Sequence, residues 1–598
     1  MRGSFAATWI SIVMAATAAC SGGPERRANP QHGPTQRKVG SRTISIVGTN
    51  DLHGALERLP LLAGFFTNLR AARAADGGGV VLVDAGDMFQ GTLESNIAEG
   101  SDIVKAYNVM GYAAAAVGNH EFDYGPEGPA VTAATIEDDA RGALKARAAE
   151  ASFPIMTANI LDATSGARIK WPNMPPSTIV EVDGVKIGII GASTESTPFT
   201  TMPANFLGLK MAPAARAIVE QAQVLRAGGA TVIVVIAHIG SKCEKLGDPK
   251  DDSSCDHNEE LYQVIGDLPH GTVDVIVAGH THAGIANRIS DIAVIESYSS
   301  GSAFGRVDLR VAADGHVTAA QIFQPQSVCG DVVTETQTPV AQCQAGPYEG
   351  KPVVADSAVQ TIVDGALARA GERRSEALGV TVTMPIGKSY GSESAEGNLF
   401  TDLMLAARPE AQVAVTNGGG LRADLPAGQL TYGQLFEAMP FDNRFAVVDV
   451  KGSHLRKLVR SNLQRGGAIL SWGGLAARAR CKGGVLDVAI TVQGKPLADE
   501  TKYKLVTSDF LASGGDGLIG RLKLPEGSVV MTDVIIRDAM ASILRGWIGT
   551  PRGTLEPAKL YSPKGAKPVV RMDYEGERPV HCGSASPSSS KPNGEPDE

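Results

Sequence analysis

The sequence predicts an α/β protein of two domains, and three observations lead there. Short β-rich runs alternate with helical segments through the first half of the chain. Several of those runs are continuous in Val, Ile and Ala, as strands buried on both faces of a sheet are. The chain has 598 residues, too many for one hydrophobic core. Its composition is that of a globular protein, 43% hydrophobic and 20% charged. The net charge is −9, which leaves no basic footprint for a nucleic acid polymer. An anionic small substrate would need a local source of positive charge, and bound metal ions would supply one.

The chain opens on an export signal. Arg2 gives a short positive region, and residues 5–19 form an apolar, small-residue stretch. That stretch is too short and too rich in Ala for a good membrane span. It ends Thr17-Ala18-Ala19-Cys20-Ser21. Small residues before a Cys resemble the lipobox of bacterial lipoproteins, although Thr17 stands where Leu is usual. The expectation is a signal peptide over 1–19 and a lipid anchor at Cys20, with the protein facing the periplasm or the cell exterior. An ordinary cleavage near Ala19, leaving a soluble periplasmic protein, is the alternative. Residues 20–42 read as a flexible tether. Six further cysteines remain: Cys243, Cys255, Cys329, Cys343, Cys481 and Cys582. An even number in an exported chain points to disulfides. The sequence leaves the pairing open; 243 with 255, 329 with 343, and 481 with 582 is the simplest arrangement.

Taken in order, residues 43–48 open the first domain as a strand. A helix is expected over 59–75, stopped at Asp76-Gly77-Gly78-Gly79. Residues 80–83 form a buried strand, 96–110 a helix and 140–151 another. Strands follow at 153–159 and 185–190. An amphipathic helix spans 212–227, and strands occupy 231–237, 273–278, 307–311 and 317–323. Residues 43–330 make up this domain. Residues 331–379 read as a linker and a connecting helix over 354–376. A second domain covers 380–562, with strands at 413–416, 446–450 and 503–506. Its helices are expected at 398–407, 432–439, 452–463 and 532–546. Residues 563–598 are polar and low in complexity, and are expected to be a disordered tail.

Five strand-like runs of the first domain end in metal-type donors. They end in Thr49-Asn50-Asp51-Leu52-His53-Gly54, Asp84-Ala85-Gly86-Asp87, Gly118-Asn119-His120-Glu121-Phe122-Asp123, Ala237-His238-Ile239-Gly240 and Gly279-His280-Thr281-His282. In open α/β sheets, sites lie beyond the carboxyl ends of strands. Seven donors result: Asp51, His53, Asp87, Asn119, His238, His280 and His282. Imidazole suits zinc and other transition metals, and carboxylate oxygen suits manganese and magnesium as well. Seven mixed donors exceed one tetrahedral ion and fit two divalent ions, zinc, manganese or similar, sharing a carboxylate. Such pairs clamp the entering and leaving oxygens of a phosphoryl displacement. Asp84 and Glu121 read as supports of these turns, and His257 and His270 as solvated loop residues.

Asp-x-His, Gly-Asp, Gly-Asn-His-Glu, a strand-end His and Gly-His-x-His together resemble the calcineurin-like metallophosphoesterases. Asp51-Leu52-His53-Gly54 and the run 118–123 are similar to the 5′-nucleotidase branch, which includes UDP-sugar hydrolases. The resemblance implies a four-layer β-sandwich flanked by helices, followed by a 5′-nucleotidase C-terminal domain of α/β (α+β) type. It implies Asp51, His53 and His282 on one ion, Asn119, His238 and His280 on the other, and Asp87 between them. His120 would stabilise phosphoryl charge or protonate the leaving oxygen, and Asp123 would orient it.

Three motifs of the second half strengthen the resemblance: Glu396-Gly397-Asn398-Leu399-Phe400-Thr401-Asp402, Asn417-Gly418-Gly419-Gly420-Leu421-Arg422 and the run 509–517. They imply a nucleotide-binding domain. Phe441 and Phe510 would sandwich the base, Asp516 would hold the ribose, and Asn417 and Arg422 would serve base and phosphate. One position departs from the family, because Ser392 stands where many members carry an Arg. The implied activity is an exported, 5′-nucleotidase-like phosphohydrolase. A 2′,3′-cyclic phosphodiesterase with 3′-nucleotidase activity, or a UDP-sugar hydrolase, is the runner-up. Sulfur-ester hydrolysis is disfavoured by Phe441, Phe510 and Asp516. A surface nucleotide-binding lipoprotein without activity would have lost metal donors, yet all seven are present. Nothing in the sequence marks an oligomeric state.

Overall fold

The protein is seen in a computed structural model that describes residues 41–135, 137–330, 342–564 and 568–582. The expected signal peptide, Cys20 and all but the end of the tether lie outside the described residues. The first domain is built on two six-stranded sheets. In one, Arg42–Thr49, Gly79–Asp84, Ala114–Ala116 and Ile155–Met156 run parallel. Ala303–Val311 and Val317–Ser327 extend that sheet antiparallel on its other side. In the second sheet, Val185–Ser193, Val232–His238, Val275–Ala278 and Ile292–Ser297 form the parallel centre.

The two sheets face each other across one apolar layer. Ile44, Ile46, Val81 and Val83 meet Ile187, Ile189, Val234, Ile236 and Val277 there. Helices Leu59–Asp76 and Ser101–Met110 cover the outer face of the first sheet through Phe65, Phe66, Ile103 and Tyr107. Helices Ala214–Ala227 and Glu260–Gly266 cover the second through Ile218, Leu225, Leu261 and Ile265. Four layers result, and both faces of each central strand are buried. That is why these strands read as unbroken apolar runs rather than alternating ones.

Helix Ser357–Ser375 joins the halves. Its start is set by Asp356, whose side chain accepts from the N–H groups of Ala358 and Val359. Val359, Val363 and Ala366 pack into the core of the first domain, and Ala370 into that of the second. The second domain carries a five-stranded sheet in the order Leu470–Gly473, Val413–Asn417, Lys502–Ser508, Arg444–Lys451, Val529–Ile535. Helices Ala395–Ala407 and Ile536–Arg545 cover one face and Gly452–Leu463 the other.

Three expectations fail, each for a physical reason. The helix over 96–110 is two pieces, Leu93–Asn96 and Ser101–Met110, because Gly100 between them adopts φ 81°. Residues 532–535 belong to the strand Val529–Ile535, whose β-branched residues pair with Arg444–Lys451. The region 563–598 is not wholly a disordered tail. Met572–Tyr574 forms a strand parallel to Leu475–Lys482, and Met572 and Val580 are buried. Arg571 explains part of this order: its Nη2 donates to Asp402 Oδ2 at 2.7 Å and its Nη1 to the Trp472 carbonyl at 2.6 Å. Residues 583–598 lie outside the described residues. The disulfides are Cys243–Cys255, Cys329–Cys343 and Cys481–Cys582, the simplest of the pairings left open. Among the described residues no helix is long and apolar enough to cross a membrane.

Candidate metal centre

The five donor-bearing turns meet at one end of the stacked sheets, interlocked by their backbones. Asp51 N–H donates to the Gly86 carbonyl and His53 N–H to that of Asp87, both at 2.9 Å. Asp51, His53, Asp87, His280 and His282 all have positive φ, between 49° and 82°. Each such non-glycine conformation costs roughly 1–3 kcal/mol and persists because the surrounding structure over-determines it. Gly118 is needed where it stands. A Cβ there would fall 2.2 Å from Asp87 Oδ1 and 2.6 Å from the Asp87 nitrogen.

The donor atoms form two groups. In the first, Asp51 Oδ1 lies 3.4 Å from His282 Nε2 and 3.8 Å from His53 Nε2. The two imidazole nitrogens lie 3.0 Å apart. In the second, His238 Nε2 lies 3.0 Å from Asp87 Oδ2, 3.0 Å from Asn119 Oδ1 and 3.2 Å from His280 Nδ1. The same Asp87 oxygen is 3.9 Å from His53 Nε2, so it faces both groups. All seven sequence-predicted donors are thus brought together.

These atoms fit cations. Asp51 Oδ2 accepts from Asn50 Nδ2 and from the His280 N–H, both at 2.8 Å, whereas the buried Oδ1 has no hydrogen-bond partner. His238 Nδ1 lies 2.9 Å from the Ala85 carbonyl and His53 Nδ1 3.0 Å from that of Gln90. Each Nδ1 therefore carries a proton, and His53 Nε2 presents a lone pair to the cluster; burial works against a charged His238, yet Asp87 raises it to about 10, so its Nε2 holds a proton that a cation would displace. Burial, with His238 beside it, pushes His280 down to about 3. Burial and Arg422 push His53 well down. Both are neutral imidazoles, the form that binds metal. Burial also opposes the charge on Asp87, but His238 and His120 override it and hold the carboxyl well below its ordinary range.

Buried acids hold the turns. Glu121 accepts from the N–H groups of Asp87, Met88 and Gly118 at 2.9, 2.7 and 2.7 Å. Asp84 accepts from Thr49 Oγ1 at 2.7 Å, the Gly86 N–H at 2.8 Å and Tyr107 Oη at 2.9 Å. Sequence reasoning missed Glu296. Its Oε1 accepts from Thr281 Oγ1 at 2.7 Å, between His280 and His282. The sequence signal was a Glu directly after the apolar run 292–295 of the strand Ile292–Ser297.

Beside the donors, His120 Nδ1 lies 2.5 Å from Asp123 Oδ2. Asp123 Oδ1 accepts from Thr201 Oγ1 at 2.9 Å. Burial works against a charged His120, yet Asp123 and Asp87 raise it above its ordinary value. Its Nε2 points inward, 4.0 Å from Asp87 Oδ2.

The second domain reaches this centre through Arg422 and Phe441. Arg422 Nη2 donates to His53 Nε2 at 2.9 Å, and the Phe441 ring centroid is 5.5 Å from that of His120. Phe510 lies against Gly515 and packs on the core of its own domain. The segments of the two rings are tied by Asn443 Nδ2 donating to Asp509 Oδ1 at 3.1 Å. Asn417 Nδ2 donates to Asp516 Oδ2 at 2.8 Å, and Asp516 has φ 53°. Ser392 is exposed and meets Ser389 Oγ at 2.8 Å, so it brings no positive charge. Lys242, which sequence reasoning also missed, stands 5.8 Å over the Tyr390 ring across the domains.

Comparison with known proteins agrees with this geometry. The family model for calcineurin-like phosphoesterase matches residues 44–284, and that for the 5′-nucleotidase C-terminal domain matches residues 375–521. Protein UshA of Yersinia enterocolitica is 27% identical over 583 residues, covering 87% of this chain and 93% of its own. A 5′-nucleotidase of Diplobatis ommata is 26% identical over 541 residues, covering 82% and 86%. The crystal structure of a 5′-nucleotidase precursor from Thermus thermophilus superposes with a TM-score of 0.68 at 24% identity, covering 89% of this chain and 99% of that one. The chain therefore belongs to the 5′-nucleotidase family, in which a calcineurin-like phosphoesterase domain is joined to a 5′-nucleotidase C-terminal domain, and it is a metal-dependent phosphoester hydrolase.

Proposed function

We propose that the protein removes phosphate from nucleotides, as an exported 5′-nucleotidase-like enzyme. The observation that carries this reading is the approach of Arg422 and Phe441 to the donor cluster and His120. A cation for a phosphoryl oxygen and a ring for a base stand beside metal-type donors. Asp51, His53 and His282 would hold one divalent ion, Asn119, His238 and His280 a second, and Asp87 would face both. Bound there, zinc, manganese or a similar ion supplies Lewis-acid stabilisation of phosphoryl charge and a water nucleophile at neutral pH.

The chain's own residues do the rest. Arg422 pairs with phosphoryl oxygens. His120 holds a proton at Nε2, aimed at the site, and gives it to the leaving oxygen while Asp123 keeps Nδ1–H in place. Phe441 and Phe510 supply the faces for a base, worth roughly 1–3 kcal/mol per stacked base. Asp516, held by Asn417, takes ribose hydroxyls.

Ser392 favours one second reading. With no cation at that position, a cyclic 2′,3′-phosphodiester or a UDP-sugar is the alternative substrate. The test is product release from AMP, UDP-glucose, 2′,3′-cyclic AMP and bis-p-nitrophenyl phosphate, with Mn²⁺ and with Zn²⁺, and with Asp87→Asn as control. Fast release from AMP, lost in Asp87→Asn, supports the nucleotidase. Turnover of the diesters alone moves the function to phosphodiesterase.

Export rests on residues 1–19 and on three disulfides, which need an oxidising compartment. Lipidation at Cys20 would be read from the mass of the mature N-terminal peptide. An unmodified terminus would remove the anchor from this reading.

A further inference from the structure

The second domain gathers positive charge along one helix, away from the metal-type donors. Gly452–Leu463 carries Arg456, Lys457 and Arg460 at neighbouring positions of one face. Together with Ser453, Ser461, Gln464, Arg465 and Asp499 they line a cavity of about 370 Å³. In a chain of net charge −9 this is a concentrated cationic surface.

Most of that charge is not neutralised. Arg456 is, because its Nη2 and Nε donate to Asp499 Oδ1 at 2.8 and 3.1 Å. Asp487 pairs with Lys482 at 2.8 Å and also feels the charges of Arg460 and Arg456. Lys457, Arg460, Arg465 and Arg521 are left without an ion pair among the described residues. Lys457 Nζ donates to the carbonyl of Arg521 at 3.1 Å, which orients the ammonium and does not cancel it. Arg460 Nε and Arg465 Nε are buried without a hydrogen-bond partner. Neither Arg460 nor Arg465 has an ion pair among the described residues, and both line the cavity, so their guanidinium groups are available to an anionic acceptor.

Arg521, tied to the cavity wall through Lys457, stands beside the loop of Gly517. The Arg521 guanidinium lies 3.4 Å from the point where a Gly517 Cβ would sit. Gly517 follows Asp516, the carboxylate paired with Asn417. Arg456, Lys457 and Arg460 lie within about 6 Å along the helix axis at 1.5 Å per residue, about one phosphate spacing. Burial pushes Asp516 up, and Asn417 and Arg465 pull it back, which places Arg465 near that carboxylate without an ion pair.

We infer that this groove is an anion subsite, where Arg460, Arg465, Arg521 and Lys457 receive a second phosphate carried on the ribose side of a nucleotide substrate. The inference rests on the reading that Asp516 meets the ribose. A phosphate attached at the 2′ or 3′ oxygen leaves the nucleotide pocket on the Arg521 side. There the guanidinium forks offer paired donors and Lys457 a point charge. The scissile phosphate is served separately, by Arg422 and the donor cluster. The preferred substrate class is therefore a ribose-phosphorylated 5′-nucleotide.

The test compares AMP with adenosine 3′,5′-bisphosphate on the full chain. The wild type should show the higher kcat/KM for the bisphosphate, with a steeper loss in salt. In Arg460→Ala/Arg465→Ala the ratio of the two kcat/KM values should fall about tenfold or more, and Arg460→Lys/Arg465→Lys should retain part of it. An unchanged ratio in a double variant with wild-type melting temperature overturns the subsite. If the wild type hydrolyses neither nucleotide, the nucleotide reading fails by itself. Calorimetric titration with pyrophosphate then decides the groove: heat lost in the alanine variant supports an anion site, and no heat in the wild type removes it.

Discussion

Arg422 Nη2 donates to His53 Nε2 at 2.9 Å, which places a side chain of the second domain on a metal-type donor of the first. That lone pair cannot serve the guanidinium and a cation together. A bound ion frees Arg422 for a phosphoryl oxygen, at the point where substrate charge arrives. Charged hydrogen bonds contribute about 1.5–3 kcal/mol, so Arg422→Ala should raise KM for a nucleotide monoester about 10- to 100-fold. Arg422→Lys should fall between, since an ammonium keeps the charge and loses the fork. Steady-state kinetics at saturating Mn²⁺ checks both; an unchanged KM in Arg422→Ala removes the phosphate contact.

His120 and Asp123, 2.5 Å apart, make a second prediction. A proton donated to the leaving oxygen matters most when that oxygen is basic. His120→Asn should lower kcat for a nucleoside monophosphate by about 10²–10⁴. The loss for p-nitrophenyl phosphate should be much smaller, because nitrophenolate leaves without help. Equal losses on both substrates would assign His120 to phosphoryl charge alone.

Glu396 gives a pH-dependent stability. It is fully buried, both carboxyl oxygens lack partners, and burial, with Asp424 nearby, raises it well above its ordinary value. The folded form binds its proton more tightly than the unfolded form. The stability this brings is complete below the ordinary carboxylate range and is lost as pH rises toward the raised value. Glu396→Gln keeps the neutral shape. Its melting temperature should equal the wild type's near pH 4 and exceed it progressively from pH 6 upward. Parallel melting curves across that range would show that Glu396 has a partner in solution.

The segment 568–582 should be needed for the stability of the second domain. Arg571 and Met572 N–H groups donate to Glu393 at 2.9 Å, and Cys582 is bonded to Cys481 across 101 residues. Removing a disulfide that closes so long a loop costs about 2–5 kcal/mol. Cys481→Ser/Cys582→Ser should lower the melting temperature by several degrees, and truncation after residue 562 by more. Scanning calorimetry with limited proteolysis of the tail checks the order. A truncated chain as stable as the full one would make the strap incidental.

Much of the fold was legible because its signals are local. The runs at 80–83 and 231–237 are apolar on nearly every residue, as strands buried on both faces are. Asp356 and Gly77 mark helix ends within a few residues of the helices they close. Where Gly100 broke a helix, a lone glycine in a helical pattern was too weak a sign. Where 532–535 joined a strand, a distant partner, Arg444–Lys451, outweighed the helix that follows. The tail shows the same effect more strongly: its own composition is polar, and its order comes from Asp402, Trp472, Glu393 and Cys481.

The sequence by itself determined the chemistry of this protein. Metal-type donors are few in kind, and seven of them stand in five turns at the ends of recognisable strands. The tertiary structure alone decided the distances that bring those metal-type donors together. Asp87 faces both groups, Glu296 lies beneath the loop of His280 and His282, and Arg422 reaches His53 across 369 residues. Those relations are set by how two sheets stack and how one helix ties two cores. Packing of that range leaves no trace in any window of residues short enough to be read along the chain.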